Sequence, residues 1–176
     1  GRWNEVEGVS TEVYWLPNIK SFNGSYQQAQ EQLRETMDRS IARRLVSDVE
    51  VGSFLSGGMD SSIVSALASQ KHGKHQLKTF TIGFNESSFD ERKYAREVAD
   101  HIGVNHHEGV LESWDPSTLN KLIINSVGQP FQDSSILPTA EVARVASKHV
   151  KVALSGDGSD EIFCGYERYK ARSILN

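Results

Sequence analysis

Residues 49–62, VEVGSFLSGGMDSS, decide the fold class. The first half, 49–55, is short and rich in apolar and β-branched residues, which predicts a buried strand. The second half, 56–62, contains two glycines and opens a predicted helix that runs to about His72 and is closed by Gly73. A strand that leads through glycines into a helix is typical of an open α/β sheet, where ligands bind at the carboxyl ends of the strands.

The rest of the chain continues this alternation of strands and helices. The gaps between strands leave room for a crossover helix each time, and such crossovers are right-handed. We therefore expect a parallel sheet covered by helices on both faces. Residues 1–24 contain aromatic residues and turn formers and predict a strand-bearing arm. The further predicted strands are 78–84, 104–110 and 151–154, and the predicted helices are 25–46, 90–102, 115–127 and 138–149.

Composition narrows the class of protein. A chain of 176 residues is expected to form one domain, or one domain with an appendage. Its single cysteine, Cys164, cannot form an internal disulfide framework or a cysteine-type zinc site, which favours a reducing, cytoplasmic location. The net charge of −4 argues against a generic nucleic-acid or anionic-membrane surface. No apolar stretch approaches the ~18 residues of a membrane span.

Two loops carry unusual composition: 56–62, SGGMDSS, and 155–161, SGDGSDE. Glycines, hydroxyls and the start of a helix in the first loop predict a site for phosphate or pyrophosphate. Asp60 would repel a phosphate unless a cation lies between them, and Mg²⁺ held by Asp60 and Asp160 would satisfy this need; the alternative is that Asp60 only caps the helix. If the strands 49–55 and 151–155 are neighbours, both loops face one crevice.

These motifs resemble a known family. The SGGMDSS loop resembles the pyrophosphate loop of the ATP pyrophosphatase, or PP-loop, superfamily, and SGDGSDEIFCGY at 155–166 resembles the synthetase domain of glutamine-dependent asparagine synthetases. The stretches 89–91 and 129–135 also fit that family. The resemblance runs from about Tyr14 to Tyr169. It implies a Rossmann-like, adenine nucleotide alpha hydrolase-like, three-layer α/β/α domain.

The resemblance also implies a function. Such enzymes use ATP and Mg²⁺ to adenylate aspartate, and ammonia from glutamine then displaces AMP to give asparagine, with pyrophosphate released. By motif, Asp157 is the candidate catalytic residue, linked to adenylate formation, and Asp60 and Asp160 are candidate Mg²⁺ ligands. The pyrophosphate is assigned to Ser56, Gly57, Gly58, Asp60, Ser61 and Ser62, and the adenosine to Leu55, Ile82, Ser155 and Gly156.

The departures from the family predict a piece of a longer protein. The family's glutaminase domain begins with a nucleophilic cysteine, whereas this chain begins with Gly1, so we expect 1–24 to be an arm that follows a glutaminase domain. Residues 25–176 would be the N-terminal part of the synthetase domain, inactive alone because the family's lysine lies further on. A homodimer is possible. The alternatives are a PP-loop enzyme acting on another carboxylate, a tRNA-thiolating or GMP-forming type, or a non-catalytic nucleotide-binding module.

Two further residue sets are expected to be structural. Neighbouring histidines in a strand point to opposite faces, so His106 and His107 do not form a metal site. Cys164 is expected to be a small packed residue, because no adjacent base is evident that would activate it.

Overall fold

A computed structural model gives the fold, and it describes all residues except 7, 74, 87–89, 112–114, 130–132 and 170–176. The chain divides into two compact units, Gly1–Thr36 and Met37–Asn176. The division falls inside helix α1, Tyr26–Arg44. Each unit is described by itself below.

The first unit contains a small hairpin and the beginning of α1. Strands β1, Arg2–Asn4, and β2, Gly8–Ser10, pair antiparallel. Helix α1 starts after a capping box, as its sequence predicts: the Ser25 N–H donates to Gln28 Oε1 at 2.8 Å, and the Gln28 N–H donates to Ser25 Oγ at 3.2 Å. These reciprocal bonds satisfy backbone donors that the first turn leaves unpaired.

The second unit is built on a parallel sheet of four strands in the order β5-β4-β3-β6. The strands are β3 Val51–Phe54, β4 Lys78–Phe84, β5 Asn105–Leu111 and β6 Val152–Leu154. The helices after α1 are α2 Met59–His72, α3 Arg92–Ile102, α4 Pro116–Leu122, α5 Ile136–Ala146 and α6 Ser159–Phe163. The predicted alternation and the parallel sheet are both confirmed.

Helices cover both faces of this sheet because side chains alternate along the strands. On one face, Phe80 packs with Val145, Ala146 and Val150 at the end of α5 and beyond. On the other face, Leu77 packs with Ile41 of α1 and Ala68 of α2, and Leu55 packs with Ala95 and Ala99 of α3. The architecture is therefore the three-layer α/β/α arrangement that the sequence predicts.

Helix ends depart from the predictions in three places. Helix α3 has Glu91 at its N-cap and starts one residue later than a cap at Asp90 would place it, although the Asp90 carboxylate accepts the Arg92 N–H at 3.2 Å. Asp115 caps α4 as predicted, but the helix continues as a π-helical turn over Ile123–Val127. Helix α5 begins at Ile136 and ends at Ala146, rather than spanning 138–149. In the described part of the chain, no helix is both long and apolar enough to cross a membrane.

Candidate nucleotide-binding site

The candidate site lies where the strand order reverses. Strand β3 pairs with β6 in the register Val51–Val152 to Ser53–Leu154, although some 100 residues of chain separate them. Both strands are parallel, so the loops that follow them start at the same edge of the sheet. Strands β3 and β6 are thus neighbours, which was the condition for the loops 56–62 and 155–161 to face one crevice.

A cavity of about 680 Å³ opens between these loops. Its floor is Phe54, the last residue of β3, and one wall belongs to the approach and first turns of α5. From the predicted set it is lined by Ser56, Gly58, Asp60, Ser61, Ser155, Gly156, Asp157 and Asp160, and it is also lined by Asp133, Ser135, Thr139, Val142, Gly158, Ser159, Glu161 and Tyr166.

The first loop is held in shape by its own hydroxyls. The Ser56 and Ser61 hydroxyl oxygens lie 2.9 Å apart, and the Ser56 N–H donates to Ser61 Oγ at 3.2 Å. The Gly58 N–H donates to Ser56 Oγ at 3.2 Å, just before α2 begins at Met59. Since a helix start leaves backbone N–H groups without intrahelical partners, this loop presents donors suited to an anion.

Two glycines allow the close approaches around the loop. Gly57 has a φ of 86°, and an added Cβ there would lie 2.6 Å from the Tyr94 Cβ of α3. At Gly156 an added Cβ would lie 2.9 Å from the Ser61 nitrogen and 3.1 Å from the Asp60 Cβ. The second loop therefore touches the first through the glycine at 156, and a larger residue would push the loops apart.

Four of the predicted site residues do not line the cavity. The Leu55 side chain is 1% exposed and packs with Ala95 and Ala99, and Ile82 packs on the α5 face of the sheet. Gly57 faces α3, and the Ser62 hydroxyl donates to the Gly58 carbonyl oxygen at 2.6 Å. Leu55 and Ile82 thus shape the sheet beneath the crevice, and Gly57 and Ser62 shape the first loop.

The carboxylates fit a magnesium ion that is shared with a nucleotide. Asp60 and Asp160 both line the cavity, one from each loop. Among the residues that the structure describes, no cluster of three or more His, Cys, Asp or Glu forms a ready-made metal site. Mg²⁺ prefers oxygen ligands and is commonly bound by one or two carboxylates together with substrate phosphates, so two carboxylates agree with this mode of binding.

Comparisons with known proteins give the family. The asparagine synthase family model matches residues 32–176, which is most of the chain. The chain belongs to the asparagine synthase family. It is 35% identical over 162 residues to asparagine synthetase [glutamine-hydrolyzing] 1 of Bacillus subtilis, covering 92% of this chain and 25% of that protein. It is 37% identical over 160 residues to a putative asparagine synthetase [glutamine-hydrolyzing] of Mycobacterium tuberculosis, covering 89% of this chain and 24% of that protein.

The chain spans about a quarter of the length of these curated relatives. Solved structures support the fold. A glutamine-dependent NAD⁺ synthetase from Acinetobacter baumannii, in complex with ADP, matches with a TM-score of 0.56 and 19% identity, covering 84% of this chain and 29% of that one. An NH3-dependent NAD synthetase from Campylobacter jejuni matches with a TM-score of 0.50 and 17% identity, covering 77% and 60%.

Hydrogen bonds lower the pKa values of two carboxyl groups on the cavity wall. The Tyr166 hydroxyl donates to Glu161 Oε1 at 2.7 Å, which lowers the pKa of Glu161 and raises the pKa of Tyr166. The Ser135 N–H donates to Asp133 Oδ1 at 2.9 Å, and this bond lowers the pKa of Asp133. Both carboxyl groups are therefore kept in their charged form at neutral pH.

The α5 wall is the part of the site that the sequence prediction missed. Ser135, Thr139 and Val142 are spaced by four and three residues, so they lie on one face of α5, and all three line the cavity. The helix was predicted from Pro138, whereas it begins at Ile136 with Ser135 as its N-cap, and no local signal in the sequence indicates which face of the helix meets the cavity.

The predicted orientation of His106 and His107 to opposite faces of the sheet is confirmed, and the prediction that Cys164 is packed is wrong. The imidazole of His106 bonds to the Thr79 hydroxyl through Nδ1 at 2.8 Å on one face of the sheet. The ring of His107 stacks on Phe80 on the opposite face, with centroids 5.4 Å apart. Cys164 is exposed, because it follows the short helix α6 with a positive φ of 57° instead of packing beneath it.

Proposed function

We propose that this chain is the ATP-binding part of an enzyme that forms asparagine from aspartate, with ATP as the activating substrate and ammonia from glutamine as the nitrogen donor. The observation that carries the proposal is the shared cavity of the two family motifs at the reversal of strand order. Family membership supports the chemistry, and the ADP-bound structural neighbour agrees with a nucleotide in this fold.

Each loop has a separate role in the proposal. The first loop, 56–62, holds the leaving pyrophosphate with backbone N–H groups and hydroxyls. Asp60 and Asp160 would hold Mg²⁺, which would supply positive charge against the charge that develops on the phosphates. The backbone around Leu55, Ile82, Ser155 and Gly156 forms the adenosine subsite, and Asp157 assists adenylate formation from its place on the cavity wall.

The proposed reaction has two steps. An aspartate side-chain oxygen attacks the α-phosphorus of ATP, the bond to the β-phosphate oxygen breaks, and pyrophosphate leaves. Ammonia then attacks the acyl carbon of the β-aspartyl adenylate, and AMP leaves as the C–N bond forms and a proton is released. Neither step needs a covalent nucleophile on the protein, so alignment and electrostatic stabilisation are the contributions required of these residues.

The wider arrangement is also part of the proposal. Residues 1–24 are an arm that follows a glutaminase domain, which supplies the ammonia, and residues 25–176 are the first part of the synthetase domain. This assignment agrees with relatives that are four times as long and are described as glutamine-hydrolysing. Cytoplasmic location and a possible homodimer remain predictions.

Calorimetric titration of the chain with MgATP tests the proposal. We expect the unmodified chain to bind MgATP, and Asp60→Asn and Asp160→Asn to bind it with a dissociation constant at least roughly tenfold higher. Loss of a residue that only supports a metal ligand already weakens metal binding by this factor. In the absence of Mg²⁺ the same variants should bind ATP no more weakly than the unmodified chain, because a carboxylate next to a phosphate is then only repulsive.

Asp48→Asn is the matched control, because Asp48 is an exposed carboxylate that does not line the cavity. It should bind MgATP like the unmodified chain. A chain that binds no MgATP, or Asp60→Asn and Asp160→Asn variants that bind it unchanged, would refute the assignment and favour an interaction module instead.

A further inference from the structure

The cavity has an unbalanced charge. Five carboxylates line it, from Asp60, Asp133, Asp157, Asp160 and Glu161, and its described lining includes no lysine or arginine. A bound nucleoside triphosphate would add several negative charges close to these carboxylates. The pyrophosphate loop offers neutral N–H and hydroxyl donors, and one Mg²⁺ brings only two positive charges, so a further cation near the lining would favour binding.

Arg168 is the arginine that lies against the lining. Its guanidinium carbon is 4.3 Å from the centroid of the Tyr166 ring, and Tyr166 lines the cavity. Within the described residues Arg168 forms no salt bridge, whereas Arg92, Arg96 and Arg144 are each paired with a carboxylate. Its charge reaches the site, since it contributes to lowering the pKa of Glu161.

Tyr166 is positioned to hold this guanidinium. Its hydroxyl donates to Glu161 Oε1 at 2.7 Å, which fixes one end of the ring, and the Tyr169 ring lies 5.8 Å away. A guanidinium stacked on an aromatic face keeps its N–H groups at its edge, where they remain free to donate. Arg168 therefore rests on the ring of Tyr166, and no described residue accepts a hydrogen bond from its guanidinium N–H groups.

We propose that Arg168 is a ligand-binding residue that donates to the phosphate chain of the bound nucleotide. The proposal rests on the proposed function and adds to it the cation that the described cavity lining lacks. Two parallel N–H groups match the oxygen spacing of a phosphate, which a lysine ammonium cannot reproduce. Tyr166 is then a positioning residue that acts through Arg168.

Titration with MgATP and, separately, with adenosine tests the proposal on the whole chain. Arg168→Gln should raise the dissociation constant of MgATP roughly tenfold to a hundredfold, the range for a lost charge-assisted hydrogen bond, and leave that of adenosine unchanged. The dissociation constant of MgATP for Arg168→Lys should lie between those of Arg168→Gln and the unmodified chain. Arg43→Gln removes the same charge from an exposed position on α1 away from the cavity, and should bind MgATP within about twofold of the unmodified chain.

Substitutions of Tyr166 distinguish a role in positioning Arg168 from a role in folding. Tyr166→Phe keeps the ring and should retain more MgATP affinity than Tyr166→Leu, which removes the cation–π contact. Equal MgATP binding by Arg168→Gln and the unmodified chain would overturn the proposal for Arg168 alone. A parallel loss of adenosine binding would also overturn it, because that loss indicates a structural role. An unmodified chain that binds no MgATP would instead overturn the proposed function, and the proposal for Arg168 with it.

Discussion

Two of the three parallel seams between paired strands of the sheet differ in extent and in use. Strands β4 and β5 pair over seven residues, from Lys78–Asn105 to Phe84–Leu111. Strands β3 and β6 pair over only three, from Val51–Val152 to Ser53–Leu154. The cavity lies at the end of the short seam, and the long seam contributes none of its described lining.

This difference shows how the fold separates stability from binding. The long seam provides a continuous ladder, and its strands β4 and β5 are followed along the chain by α3 and α4. At the short seam the strand order reverses, so the following loops diverge and leave a crevice between them. The short seam needs support from elsewhere, and the structure provides it through Gly156 and through a buried pair of hydroxyls, from Ser53 on β3 and Ser65 on α2.

The largest effect is expected at Gly156, where the two loops touch. In Gly156→Ala the new Cβ would lie 2.9 Å from the Ser61 nitrogen, and backbone atoms cannot move aside as a flexible side chain can. We expect the dissociation constant of MgATP to rise roughly a hundredfold, as for a misplacement of about 1 Å in a preorganised site. Calorimetric titration measures the change.

Gly158→Ala is the comparison that separates contact from strain. Gly158 has a φ of 91°, but an added Cβ there would meet nothing within 4 Å. This variant should lose about 1–2 kcal/mol of unfolding free energy from backbone strain and retain most of its MgATP affinity. Similar losses of affinity in the two variants would mean that contact between the loops is not what shapes the site.

The first strand of the short seam and the loop that follows it were predictable because their signals are local. The stretch 49–62 contains a complete strand, a glycine turn and a helix start, so local preference and tertiary structure agree there. The opposite orientation of His106 and His107 follows from strand geometry alone, whatever the neighbours are. The neighbouring position of β3 and β6 was only a condition in the sequence argument, since no local signal indicates a pairing across some 100 residues, and the structure supplies it.

The remaining features depend on contacts distant in sequence. Thr139 and Val142 face the cavity because α5 packs across β4 and β5, and no local signal states this packing. The π-helical turn at 123–127 keeps Val127 half-buried after α4 ends, although the sequence reads as one regular helix. Exposure of Cys164 depends on a backbone conformation with positive φ, which is uncommon outside glycine.

An intermediate effect is expected at the hydroxyl pair that supports the short seam. The Ser53 and Ser65 oxygens lie 2.9 Å apart, and both residues are fully buried. Ser65→Ala should lower the free energy of unfolding by about 1–3 kcal/mol, because it leaves the Ser53 hydroxyl without its best partner. Removing both hydroxyls in Ser53→Ala with Ser65→Ala should cost less than Ser65→Ala alone, since the single variant leaves the buried Ser53 hydroxyl with only its longer contacts, to the Phe54 and Leu154 carbonyl oxygens at 3.3 and 3.5 Å.

Urea unfolding of Ser65→Ala, the double variant and the unmodified chain measures these differences in the free energy of unfolding. Ser147→Ala serves as the control, because the exposed Ser147 hydroxyl donates only to the Arg144 carbonyl oxygen on the surface. It should change the free energy by less than about 0.5 kcal/mol. A double variant that is less stable than Ser65→Ala would show that the hydroxyl pair is not the unit that supports the seam.

The smallest effect is expected at the long seam, where His106 of β5 forms a hydrogen bond with Thr79 of β4. His106 is 9% exposed, and burial is the largest influence that lowers its pKa, with smaller contributions in the same direction from His107 and Arg96 and opposing ones from Glu108 and Asp100. In the unfolded chain the imidazole takes up a proton near pH 6.5. The unfolded state therefore binds more protons, and the free energy of unfolding falls as the pH decreases through and below this value.

Thermal unfolding between about pH 7.5 and about pH 5.5 measures the dependence. The melting temperature of the unmodified chain should fall with pH, and His106→Gln should make the fall shallower without abolishing it, because burial also lowers the pKa of His107. Thr79→Val is the matched control: it removes the hydroxyl partner of His106 but keeps the buried imidazole, so it should lower the melting temperature at every pH while the fall persists. If the melting temperature of His106→Gln fell by as much as that of the unmodified chain, a group other than His106 would take up the proton. The long seam would then contribute to stability only through its backbone hydrogen bonds.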